Sequence, residues 1–206
     1  MLPQCLLKIV STSTSTRDRI LDSAMTLFGE QGFRGTSVTQ IEAAAGLTPG
    51  AGGIYHHFRS KEALLTAGIE RHLARLDALR DIRRVLVDLG DLRAELTVTA
   101  RYVLAELDSE SELLRILVCE ARARPALVEN AVEHLVGRSY TEFGDWLSER
   151  CGLSGQRAQA VVAVGLGSLL SSRLLPNVLG VTPMQVDDAT FVATWVEMML
   201  ALTRPD

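Results

Sequence analysis

At 206 residues, with 47% apolar and 22% charged side chains, the chain has material for one large domain or a small domain joined to a larger one, and its composition argues against a disordered or fibrous protein. A net charge of −4 excludes recognition of nucleic acid by a bulk basic field, so any such recognition must rest on geometry. Cys5, Cys119 and Cys151 are odd in number, far apart and without a C-x-x-C, which argues against a disulfide framework or a thiolate metal site and fits a reducing cytoplasm.

The opening "MLPQCLLKIV" carries a short apolar run, Leu6 to Val10, broken by Lys8. That is too short for a secretory core, so residues 1–14 read as a flexible tail. No segment reaches the ~18 apolar residues of a membrane span, and the expectation is a soluble, cytoplasmic protein with no membrane partner. In "RDRILDSAMTLFGEQG", Ile20, Ala24, Leu27 and Phe28 recur at helical spacing, with Ser15 or Thr16 available as N-cap and Gly32 as a stop. In "GTSVTQIEAAAG", Ser37 and Gln40 have capping-box spacing, Val38, Ile41 and Ala45 form a narrow apolar face, and Gly46 ends a short helix. The segment "GLTPGAGGIYHHF", residues 46–58, comes next. After it, Ser60 caps a long helix whose stripe runs through Ala63, Leu64, Ala67, Leu73, Leu76 and Leu79.

The remainder reads as helices over 92–107, 112–123, 126–151, 156–175 and 186–203, separated by the turn signals "DLGD", "LDSES", "ARP", "CGLSG" and "LPNVLGVTP". No window alternates like a strand between hairpin turns. The expected fold is all-α, with about nine helices.

Three chemistries compete for residues 46–58. A phosphate loop needs a preceding strand and either G-x-G-x-x-G or a Lys-Ser/Thr, and "GAGG" has none of these. Metal binding by His56 and His57 fails on geometry, because adjacent residues on a helix point ~100° apart. No nucleophile elbow, H-E-x-x-H or paired carboxylates in a glycine loop mark an enzyme, and the reading needs no cofactor and no metal. The third possibility is a helix-turn-helix: a short helix over 37–45, a glycine turn, and a second short helix ending at Phe58. The second helix would enter the major groove, with Thr48 and Ala51 against thymine methyls and Tyr55, His56 and Lys61 towards phosphates. Ile54 and Phe58 have the spacing to pack inward.

The stretch "RILDSAMTLFGEQGFRGTSVTQIEAAAGLTPG…IYHHFRSKEALL" resembles the N-terminal domain of the tetracycline-repressor (TetR) family of transcriptional regulators over about fifty residues. Ile20-Leu21, Ala24, Leu27-Phe28 and Gly32-Phe33 match the first helix, and Thr36-Ser37, Ile41, Ala44 and Gly46 match the second. Tyr55, His57 and Phe58 match the third, and Ser60-Lys61-Glu62 with Leu64-Leu65 open the fourth. The resemblance implies a helix-turn-helix DNA-binding domain over 15–62 and a helical effector-binding and dimerisation domain over 63–206. It implies a homodimer that binds double-stranded operator DNA and a small-molecule effector, most simply a repressor released from its operator by that molecule. The DNA-facing residues under these readings are Thr36, Ser37, Thr48, Pro49, Gly50, Ala51, Tyr55, His56 and Lys61.

One departure matters: Gly46 to Tyr55 is two residues longer than the family's usual pattern. Two residues inside a helix rotate what precedes them by ~200°. Either the turn lengthens and the helix starts near Gly52, or the helix begins at Pro49 and is half a turn longer. Glycines in a first helical turn cost ~1 kcal/mol each relative to alanine, which favours the longer turn.

In the C-terminal half, Tyr102, Cys119, Glu120, Phe143 and Trp146 are the expected effector-pocket residues. "AVVAVGLGSLLSSRLL" places small residues on one helix, and Phe191, Trp195, Met198 and Met199 recur on the last. Gly167, Leu170, Phe191, Trp195 and Met199 are therefore the expected dimer contacts, across two helices from each subunit. A second functional reading, a helical ligand-binding or scaffolding protein with little sequence-specific DNA binding, is kept open by the neutral charge and the glycine-rich insertion.

Overall fold

A computed structural model describes residues 15–86 and 90–204, so the expected tail over 1–14 lies outside the described residues. Among those residues the chain is helical, with no strand. The elements are α1 (Thr16–Gly35), α2 (Val38–Ala44), a 310 turn (Gly53–His56), α3 (Lys61–Leu86), α4 (Leu92–Ser109), α5 (Ser111–Glu120), α6 (Pro125–Val132), α7 (Arg138–Cys151), α8 (Gly155–Leu179) and α9 (Asp188–Leu202).

Local chemistry sets most of the boundaries. Ser15 accepts from the Asp18 N–H at 3.1 Å, Ser60 from that of Ala63 at 3.1 Å, Asp91 from that of Arg93 at 3.0 Å and Asp187 from that of Thr190 at 2.9 Å. Each bond satisfies an amide that lacks a partner in a helix's first turn. Gly32, at φ 72°, breaks α1 before its last turn. The single helix expected over 126–151 is interrupted: a π turn, Glu133–Gly137, separates α6 from α7.

Two apolar cores result. One joins Ile20, Leu21 and Phe28 of α1 to Ile41, Ile54, Leu64 and Leu65, and continues into Leu113 and Ile116 of α5 and Val128 of α6. The other packs Leu96 and Ala100 of α4 with Leu147, Val161, Leu169, Trp195 and Met199 of α7, α8 and α9. Each such fully buried aliphatic or aromatic side chain contributes about 1.5–3 kcal/mol. The N-terminal unit is thus seated on α5, and α3 leaves it as one continuous 26-residue helix.

Four glutamates are buried among the described residues, and each is partnered, as a carboxylate removed from water must be. Glu95 takes Arg150 at 2.9 Å. Glu120 pairs with Arg124, Glu110 with His72 and Arg75, and Glu42 with backbone N–H groups. By length and composition alone α8 is apolar enough to cross a membrane, contrary to the sequence expectation. Its buried face packs into the bundle through Val161, Val162, Leu166 and Leu169.

Candidate functional site

The N-terminal head is built around two polar anchors. The capping box forms as its spacing requires: the Ser37 N–H donates to Gln40 Oε1 at 2.7 Å, and the Gln40 N–H to Ser37 Oγ at 3.2 Å. At the break after Gly32, the Thr36 hydroxyl lies 2.9 Å from the Gly32 carbonyl and 3.1 Å from that of Leu27. Lys61 Nζ donates to the carbonyls of Phe33 and Thr36, each at 2.7 Å, and sits 4.2 Å from the Phe33 ring centroid. Two expected DNA contacts therefore change role. Thr36 is buried and its hydroxyl ties the α1–α2 junction, while Lys61 uses two donors to hold the start of α3 against that junction. Both are drawn inward because the left-handed glycine leaves carbonyls that helix geometry no longer satisfies.

The glycine segment forms a long turn. Gly46, Gly50 and Gly52 all have positive φ, near 70–78°, a region that side chains with a Cβ rarely occupy. The Ala51 N–H closes onto the Thr48 carbonyl at 3.2 Å. Beneath it lies Glu42, fully buried on α2. Its two carboxylate oxygens accept from the Gly50 N–H at 2.7 Å and the Ile54 N–H at 3.4 Å. The two extra residues are thus absorbed by the turn, and the second helix shrinks to the 310 turn Gly53–His56. Thr48, Pro49, Gly50, Ala51, Tyr55 and His56 are exposed on one connected segment, with Ser37 also exposed nearby in sequence. Ile54 and Phe58 face inward as their spacing requires. Sequence reasoning missed Glu42, because a single charge on a short amphipathic helix looks like a solvated one.

A second feature lies between α4, α5, the π turn, α7 and α8. A cavity of about 560 Å³, counting its open mouth, is lined by Val103, Glu106, Leu107, Glu110, Leu114, Leu135, Val136, Ser139, Tyr140, Leu166 and Leu170. None of the five expected pocket residues lines it. Phe143 is buried and stacks on Trp146 at 5.7 Å and near Trp195 at 6.4 Å, so these aromatics fill core. Cys119 is exposed, and Tyr102 is half-buried on α4. Glu120 faces the head instead, accepting from the Phe33 N–H at 3.3 Å while its partner Arg124 covers the Phe33 ring at 3.9 Å. The cavity's distinctive member is Glu110. Burial pushes its carboxyl up, but hydrogen bonds from His72 and Arg75 outweigh that and hold it below the ordinary carboxylate value. Both partners belong to α3.

The expected dimer residues also turn inward. Trp195 and Met199 are buried within the chain, Trp195 Nε1 donating to the Gly165 carbonyl at 2.9 Å. Leu170 lines the cavity, Gly167 lies against Tyr140, and Phe191 is half-buried against the second core. The outward side of α8 carries Ala160, Ala163, Val164 and Ser171, and that of α9 carries Ala193, Thr194 and Ala201. On α8 most of these are small, whereas on α9 the exposed Glu197, paired with Arg93, lies between Thr194 and Ala201.

A capped helical head with an exposed turn, seated on a helical body with a cavity open at its mouth, gives a helix-turn-helix unit joined to a helical domain. Residues 20–67 match the family described as "Bacterial regulatory proteins, tetR family". The chain is 30% identical over 126 residues to the HTH-type transcriptional repressor KstR2 of Rhodococcus jostii (strain RHA1), covering 61% of this chain and 54% of that one. It is 47% identical over 64 residues to the HTH-type transcriptional regulator UidR of Escherichia coli (strain K12), covering 29% and 32%. The matched segments thus span about half and a third of these curated relatives. A TetR-like transcriptional regulator from Rhodococcus sp. RHA1 has the same fold, with a TM-score of 0.66 at 19% identity over 98% of this chain and 96% of that one.

Proposed function

We propose that the chain is a ligand-responsive, sequence-specific DNA-binding regulator, acting in the cytoplasm as a homodimeric repressor rather than as an enzyme. The head over residues 15–62 would read operator DNA, and the body over 63–206 would bind an effector and dimerise. The observation that carries the reading is α3. It begins at Lys61, anchored to the head by two carbonyls, and supplies His72 and Arg75 to a glutamate in the cavity wall. Some 14 residues, about 21 Å of rigid helix, therefore join the cavity to the reading segment. A ligand that moves Glu110 shifts the head-to-head distance away from the roughly 34–36 Å that successive major grooves require. The exposed segment 48–56 supplies the DNA contacts, with Thr48 and Ala51 towards bases and Ser37, Tyr55 and His56 towards phosphates. The exposed faces of α8 and α9 supply the dimer contact, with Ala160, Ala163 and Ser171 of α8 letting two backbones approach closely. That relatives of similar head sequence carry the names repressor and regulator supports the repressor assignment.

Selection of bound sequences from a random duplex pool tests the reading. Enrichment of a twofold-symmetric motif is expected, and a pool that stays random overturns it. Sedimentation at micromolar concentration is expected to give a dimer, and a monomer overturns the two-head geometry.

A further inference from the structure

The face that α5 turns to the head is built to a plan. Glu112, Ile116 and Glu120 recur at a spacing of four, which puts them in line along the helix. Ile116, in the middle, belongs to the apolar core shared with α1, and a carboxylate stands at each end. Glu112 Oε1 accepts from the Thr26 hydroxyl at 3.0 Å. Gly29 brings α1 close there, since a Cβ on it would lie 3.5 Å from the Glu112 carbonyl oxygen. At the other end Glu120 Oε1 accepts from the Phe33 N–H at 3.3 Å. Gly32, at φ 72°, breaks α1 one residue earlier, and the amide beyond the break turns to a carboxylate of the body.

Phe33 is where three elements meet. Its carbonyl accepts from Lys61 Nζ at 2.7 Å, at the start of α3. Its ring centroid lies 4.2 Å from Lys61 Nζ and 3.9 Å from Arg124 Cζ, and Arg124 is itself paired with Glu120. One cation on the ring thus comes from the head and the other from the body. Four residues beyond Phe33 the chain reaches Ser37, the cap of α2, and α2 carries the Glu42 that holds the reading turn.

We propose that Glu120 and Arg124 are positioning residues for DNA binding, which by gripping Phe33 hold each head at the angle a two-headed grip on DNA requires, an inference that rests on the two-head reading above. The chain passes from head to body through α3, which fixes one axis. A second contact away from that axis is needed to stop rotation about it, and the α5 line supplies one. A head free to turn about α3 still meets one half-site. The second head then binds at a lower effective concentration, because binding must first arrest that rotation.

Fluorescence anisotropy on the full-length protein tests this with two duplexes at one salt concentration. One is the twofold-symmetric sequence selected from the random pool, and the other is the same duplex with one half scrambled. The native protein is expected to prefer the full site by about a hundredfold or more, the gain a second linked contact brings. Arg124→Ala is expected to cut that preference by about tenfold or more, while affinity for the half-scrambled duplex stays within about twofold. Arg124→Lys, which keeps a cation for the ring and for Glu120, is expected to restore most of it. Arg124→Ala leaves the Glu120 carboxylate buried without its cation, so Glu120→Gln combined with Arg124→Ala serves if the single variant does not fold. A role in stability alone would lower the melting temperature and leave the ratio of the two affinities untouched; that result overturns the proposal. Equal loss on both duplexes marks damage within the head and also overturns it. A native protein that binds the two duplexes alike, or a pool that yields no motif, overturns the two-head reading and this inference with it.

Discussion

Removing the Glu42 carboxylate tests whether a buried anion shapes the reading turn. In Glu42→Ala the Gly50 N–H loses a charge-assisted acceptor at 2.7 Å and the Ile54 N–H a weaker one at 3.4 Å. A buried hydrogen bond to a charged group contributes about 1.5–3 kcal/mol, and a long, marginal one under about 1 kcal/mol. The closed turn should therefore lose about 2–4 kcal/mol relative to its open forms, a factor of roughly 30 to 700 in local opening. Deleting the carboxylate also removes the cost of burying it, so the melting temperature moves less than the local exchange does. Amide hydrogen exchange reads this directly. Gly50 and Ile54 should exchange faster by that factor in the variant, while core amides such as those of Leu64 and Leu65 change little. Affinity for an upstream duplex should fall in proportion to the fraction of heads left with a closed turn. Unchanged exchange at Gly50, with unchanged DNA affinity, would refute the idea that Glu42 organises the turn.

Other perturbations follow from single contacts. A Cβ at Gly68 would lie 2.2 Å from Met25 Sδ and 2.9 Å from its Cγ. Gly68→Ala should therefore destabilise by about 1–3 kcal/mol and lower the melting temperature by several degrees, measured by calorimetry; an unshifted melt contradicts the packing. The lowered Glu110 carboxyl contributes stability that is complete above the ordinary carboxylate range and is lost as pH falls through its lower folded value. The melting temperature of the native protein should thus fall more steeply in acid than that of Glu110→Gln, and parallel curves contradict the linkage. Burial pushes the Cys151 thiol up, whereas Cys119 is exposed. Iodoacetamide followed by peptide mapping at neutral pH should label Cys119 before Cys151, and faster labelling of Cys151 contradicts this.

Periodicity and capping residues made the helical framework legible, because Ile20, Ala24, Phe28 and Ile41 face one way for local reasons. The helix-turn-helix head followed from many residues in one order. What the sequence hid was which apolar face meets what. Trp195 and Met199 have the spacing of an interface and of a core alike; only the packing of α9 against Gly165 decides for core, leaving Ala160, Ala163 and Val164 outside. Phe143 and Trp146 are large enough to line a pocket, but their size fills space rather than leaving it. The cavity opens instead beside Leu135 and Val136, in a π turn that no capping signal announces. Thr36 is expected to face DNA from the family resemblance, and Lys61 to reach phosphates. Their actual partners are carbonyls freed by Gly32, whose left-handed φ is visible only in three dimensions.

The central claim is that the head reads sequence, and fluorescence anisotropy on two labelled duplexes tests it most directly. The gene's own upstream fragment and a scrambled duplex of equal length are titrated with the full-length protein at ~0.15 M salt, then across a salt series. The account predicts that the upstream fragment binds at least ~10³-fold more tightly, with the excess persisting where non-specific binding has fallen away. Equal affinity and equal salt slope for the two duplexes would contradict it.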